Sequence, residues 1–165
     1  MTDKPISAPP TIVPLLEKSY LAVIRNSIGS NQFKNFYALV DNQEQDILRN
    51  GELSCAFFVS TILKSFSLIN ETHTTVTGLI KDLVKSGWQK VSEPTPGCIL
   101  VWNPVTYPDG ETHSHIGFYI GDIQAVSNST STNTPTVHHS TFDNSRTITA
   151  VYQPPEFPKI PKTSV

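Results

Sequence analysis

Apolar positions along the chain change period near residue 88, from helical spacing before it to strand-like alternation after it. Between residues 13 and 28, Leu16, Tyr20, Val23, Ile24 and Ile28 recur at helical intervals, and Gly29 follows as a stop, which predicts a first helix. The segment FYALV (36–40) reads as a strand, with DNQEQ after it as a turn. A second helix is expected from Ser54, a residue suited to N-capping. A third is expected over residues 75–85, where Val76, Leu79, Ile80, Leu83 and Val84 share a face and Gly87 ends the run. Lys81, Asp82 and Lys85 would form its solvated side. Beyond Trp88 come CILVW (98–102), bounded by Pro96 and Pro104, and HIGFYI (115–120), which leads through a Gly121-Asp122 turn into QAVSN (124–128). The polar loop STSTNTPT then precedes VHHST, and RTITAVYQ (146–153) alternates as a last strand. Helices first and strands later predict an α+β domain, with N-terminal helices packed on a mostly antiparallel sheet.

Proline frames this body. Residues 1–12 read as a Pro-rich lead-in, residues 13–153 as a single domain, and residues 154–165 as a Pro-rich tail pinned by Phe157 and Ile160. A length of 165 residues suits one core. The net charge of −2 offers no basic footprint for nucleic acid or an anionic membrane. With 38% hydrophobic and 16% charged residues, the chain is too apolar for disorder. No apolar run approaches the roughly 20 residues of a membrane span. The start, MTDKPISAPP, lacks a basic end followed by an apolar signal core, so synthesis inside the cell is expected, and work outside it would need non-classical release. Oligomeric state is not legible.

Two cysteines cannot build a disulfide framework or a four-cysteine zinc site, so each is judged alone. Cys55 directly follows Ser54 and falls in the first turn of the second helix. Unsatisfied backbone N–H groups and the positive end of the helix dipole favour an anion there, which predicts a lowered thiol pKa and a nucleophilic sulfur. The competing reading is a small buried hydrophobe, since Phe58, Val59, Ile62 and Phe66 share its face. Cys98 alternates with Leu100 and Trp102 and reads as packing. A Cys55–Cys98 disulfide is not expected in a chain made inside the cell.

His115 opens a strand on which His115, Gly117 and Tyr119 face one way and Ile116, Phe118 and Ile120 the other. An imidazole beside a glycine leaves room for another group to approach, and its ordinary pKa of about 6.5 suits proton transfer from a thiol. A cysteine at a helix start followed by a histidine at a strand start is one order in which thiol–imidazole catalysis is built.

The run SCAFFVSTIL, then PGCILVW, then HIGFYIGD resembles the NlpC-type papain-like cell-wall cysteine peptidases, relatives of the CHAP amidases, over about residues 50–130. The resemblance implies a papain-like fold in which Cys55 is the nucleophile and His115 the general base, with no cofactor or metal. It implies a peptide or peptidoglycan-fragment substrate, cut at an amide bond. The chain departs from the family pattern at Ser54, where Asp is usual, at Ala56-Phe57 in place of Ser-Gly, and at Cys98, where Asp follows Pro-Gly.

A third polar group, about a dozen residues after the histidine in that family, should orient the base. The count lands on Ser127 beside Asn128, and one step of register exchanges them. Asn128 is favoured for its fixed acceptor oxygen, with Ser127 and His139 as alternatives. Trp102, His113 and His138 are expected to line the groove. A metal reading of His113/His115 and His138/His139 is weaker, because no acidic residue accompanies either pair and the second pair faces opposite sides of a strand. Two other functions stay open: a non-catalytic binding module on the same fold, and an acyl-transferring thiol enzyme acting on a lipid or small molecule.

Overall fold

The computed structural model describes residues 11–106, 110–158 and 163–164. Its centre is a six-stranded antiparallel sheet, and its elements follow the chain in order: β1 (Thr11–Ile12), α1 (Leu16–Asn26), β2 (Tyr37–Val40), β3 (Gln43–Asp46), α2 (Cys55–Ser65), α3 (Val76–Lys85), β4 (Gln89–Val91), β5 (Ile99–Thr106), β6 (Thr112–Gly121), β7 (Gln124–Ser129), β8 (Thr134–His139), β9 (Ile148–Gln153) and β10 (Thr163–Ser164). The central sheet runs β4-β9-β5-β6-β7-β8, with every neighbour antiparallel. The α+β architecture expected from the period change is therefore present. No helix among the described residues is long and apolar enough to cross a membrane.

Alternation in β6 decides where the layers lie. Ile116, Phe118 and Ile120 point to the helix side and join Tyr20 and Ile24 of α1, Phe58 and Ile62 of α2, and Leu79 and Leu83 of α3 in the main core. Tyr119 points the other way, toward a smaller cluster built from Cys98, Leu100, Trp102, Ala125 and Val151. The second cluster is capped by Phe142 from the β8–β9 loop. The sheet thus separates Cys98 from Cys55, and both are unbridged thiols.

Several elements depart from their sequence expectations. Helix α1 starts three residues later than residue 13, because Pro14 lies ahead of its first turn. The turn expected across DNQEQ is confined to Asp41 and Asn42, both at positive φ (51° and 61°), and Gln43–Asp46 pairs with β2 as a hairpin strand. The loop STSTNTPT gives up its last three residues to β8, where Pro135 is tolerated on an edge strand. The short strands β1 and β10 pair with each other, so lead-in and tail meet at Thr11–Ile12. Phe157 of the tail packs on Tyr20, with ring centroids 5.5 Å apart. The expected pin at Ile160 and the lead-in before Thr11 lie outside the described residues.

The solvated face expected on α3 is also corrected at Asp82, which is only 7% exposed. Residues 70–73 fold over it. Its carboxylate accepts from the backbone N–H groups of Asn70 and Glu71, from Asn70 Nδ2 and from Ser86 Oγ, and it lies 2.8 Å from His73 Nε2. Burial alone would raise this carboxyl, but the bonds from His73, Asn70 and Glu71 hold it well below the usual carboxylate range. Asp82→Ala should lower unfolding stability by about 2 kcal/mol at neutral pH, by leaving those donors without their acceptor. The native carboxyl is depressed relative to the unfolded chain. Its contribution is therefore complete above about pH 4 and is lost as pH falls further. Denaturant unfolding of both proteins across that range checks this: a gap that does not narrow in acid would refute the assignment.

Candidate active site

Helix α2 starts at Cys55 because the chain turns tightly ahead of it. Gly51 sits at φ 97°, and a Cβ there would lie 2.7 Å from the Asn133 carbonyl oxygen, so glycine alone fits. Ser54 occupies the N-cap position, but its backbone is already helical and its hydroxyl makes no capping bond. The carbonyl of Gly51 instead accepts from Asn128 Nδ2 at 2.6 Å, which ties the turn to β7.

Backbone N–H groups of Ile116, Ala56 and Cys55 itself act on the Cys55 thiol and pull its pKa down. Two belong to the open end of α2, as the sequence placed them. The third is available because the β6–β7 ladder goes no further than Gly117–Ser127 and leaves Ile116 one residue past it. The lowered thiol pKa expected from the helix start does not follow. Desolvation pushes the Cys55 thiol up to about 11, although the three amides and the Arg146 guanidinium pull it down. Burial likewise lowers His115 to about 3, and the Arg146 charge and His138 act in the same direction. Thiol and imidazole are thus both neutral at rest over a wide range around neutrality. Titration of the native protein by thiolate absorbance should show no ionised Cys55 at neutral pH, with the signal rising only toward pH 11. A thiolate band at neutral pH would refute this resting state.

Cys55 and His115 line one cleft of about 450 Å³, together with Leu53, Thr75 and His113. His113 lies where the sequence placed it, with its Nε2 3.1 Å from Glu111 Oε2, so a carboxylate does accompany that histidine pair. A second cleft of about 240 Å³ meets the first at His115 and Thr130 and is lined by His138, Phe142 and Arg146. A larger cavity of about 690 Å³ lies between α1 and the proline-rich C-terminal segment, and neither thiol nor imidazole lines it. Among the described residues, no group of three or more His, Cys, Asp or Glu side chains gathers as a metal site.

The third polar residue against His115 is Ser127, not Asn128. Ser127 pairs with Gly117 across β6–β7 and so shares the face of His115, and its Oγ lies 2.8 Å from His115 Nε2. Asn128 faces the helices and holds the Gly51 turn, so it serves the Cys55 side of the cleft. His139 does not reach His115 either: its Nδ1 takes the Thr141 backbone N–H at 3.2 Å and lies 2.9 Å from the Thr141 hydroxyl. Trp102 was expected in the groove and is instead fully buried beneath it. It pairs with His115 across β5–β6, its Nε1–H donates to the Ser140 carbonyl at 2.7 Å, and its ring lies 5.3 Å from that of His115 and 5.6 Å from that of His138.

Sequence reasoning placed His138 in the groove but missed its bond to Ser127 Oγ, at 2.7 Å from Nε2. The signal was available as parity, because Thr136 pairs with Ser127 and His138 stands two residues along on the same face. Arg146 and Phe142 were missed altogether. Both sit in the β8–β9 loop, and their approach to the imidazoles depends on how that loop folds back. No family model matches the chain, and no curated protein is similar to it in sequence.

Proposed function

We propose that this chain is a cysteine hydrolase of the papain-like, NlpC type, cleaving an amide bond through a thiol–imidazole pair. The observation that carries the reading is the shared cleft of Cys55 and His115, with the imidazole Nε2 held by Ser127. As the sulfur attacks the carbonyl carbon, its proton passes to His115. Amides at the α2 start stabilise the oxygen as it becomes negative. The imidazolium then protonates the leaving amine, leaving a thioester, and water activated by His115 releases the acid. No step needs a cofactor.

The proposed substrate class is peptidoglycan stem peptides. The likeness of SCAFFVSTIL and HIGFYIGD to the cell-wall enzymes supports it. Purified peptidoglycan fragments incubated with the native chain should yield new amine and carboxyl termini, read by mass spectrometry, and Cys55→Ala should yield none. Equal product from both proteins would remove the cysteine mechanism. The raised thiol pKa favours one second reading, a binding module whose cysteine is inert, and the same comparison separates the two.

A further inference from the structure

His138 is not part of the thiol–imidazole pair, yet both of its ring nitrogens are engaged. Its Nδ1 lies 2.8 Å from the carbonyl oxygen of His139. A carbonyl can only accept, so Nδ1 carries a proton, and in the neutral ring Nε2 is then bare. That bare nitrogen is 2.7 Å from Ser127 Oγ, so the serine hydroxyl donates its one proton there. Having given that proton, Ser127 Oγ meets His115 Nε2 at 2.8 Å as an acceptor, and His115 Nε2 must be protonated. The lone pair of His115 therefore stands on Nδ1. Packing holds the row in place: Phe142 stacks on His138 with centroids 3.9 Å apart, Trp102 lies against both imidazoles, and Ser127 is buried.

We infer that His138 is a positioning residue which, acting through Ser127, holds His115 in the tautomer whose Nδ1 can take the proton from Cys55. The role in catalysis rests on the hydrolase reading above, whereas the tautomer does not. The row also has a direction that acid reverses. A protonated His138 donates from Nε2 to Ser127, and the serine hydroxyl proton must then turn to His115 Nε2, which shifts the His115 proton to Nδ1 and removes the base. The groups facing His138 are His115, Ser127, Arg146, His139 and Asp143. Burial lowers its pKa from 6.5, with Arg146 and His139 acting the same way and the His139 carbonyl and Asp143 opposing, so the reversal falls on the acid side of that value.

Nitrogen NMR of the imidazole rings tests this in the intact chain. Native protein at neutral pH should show His115 protonated at Nε2 and bare at Nδ1, and acidification through the His138 titration should move the proton to Nδ1. His138→Phe should give a mixture of His115 tautomers, and His138→Gln, whose amide oxygen can accept from Ser127, should restore the single form. On a cleavable amide, kcat should fall in His138→Phe by about 2–5-fold, in step with the fraction of His115 left protonated at Nε2, with KM unchanged, and recover in His138→Gln. A native His115 protonated at Nδ1, or one unchanged tautomer in His138→Phe, would overturn the inference. Should the Phe variant not fold, the native spectra at the two pH values decide alone. A native tautomer as described, in a protein that cuts no amide, upholds the positioning row and removes the hydrolase.

Discussion

Cys55→Ala, His115→Ala and the double variant are expected to lose the same activity, each about 10³–10⁴-fold in kcat/KM, rather than to show additive losses. The reason is the neutral resting pair. A thiol pushed up to about 11 is ionised in only about one molecule in 10⁴ at neutral pH, so the proposed attack needs the imidazole to take the proton. Removing the base leaves that small fraction, and removing the sulfur leaves nothing for the base to serve. Initial rates on one peptide amide for the four proteins close the cycle. A His115→Ala variant within tenfold of native would mean that the sulfur ionises without help, and the two groups would not be a unit.

Gly117→Val should act on fold and site together. A Cβ on Gly117 would lie 2.6 Å from Ser127 Cβ, 2.7 Å from the Val126 carbonyl oxygen and 3.2 Å from the Trp102 ring. The middle contact is backbone of the paired strand, so relief requires β7 to shift. Two further methyl groups extend the clash toward the buried indole. Overpacking of this kind should destabilise the domain by about 3 kcal/mol, seen as a lower denaturant midpoint with unchanged slope. Because β7 carries Ser127, the surviving folded protein should also lose activity. A variant with native stability and native rate would show that the close approach of β6 and β7 is not needed.

The layers of this domain were legible because they rest on period. Ile116, Phe118 and Ile120 against His115, Gly117 and Tyr119 needed only alternation, and Leu79 and Leu83 needed only the helical repeat. Which residue meets His115 was not legible in the same way, since parity across a hairpin depends on its turn. Asp122 and Ile123 both take positive φ (51° and 54°), and an irregularity between Tyr119 and Gly121 completes the register that puts Ser127 on the imidazole's face. Chemical preference for an amide acceptor pointed to Asn128 and lost to geometry. The thiol failed for a related reason: a helix start is local and readable, whereas the desolvation that outweighs it comes from chain brought together by the fold. Asp82 is a third case. Its place on α3 looked solvated until residues 70–73 folded over it.

Ser127 and Asn128 are neighbours on one strand, yet one reaches the imidazole and the other the turn that launches α2. A one-residue slip of β7 against β6 would exchange their sides, and the imidazole and the turn ahead of Cys55 would lose their partners in the same event. Loop tips commonly tolerate changes of length. This one can change only where the new turn keeps Ser127 opposite Gly117, so its length is tied to the register behind it.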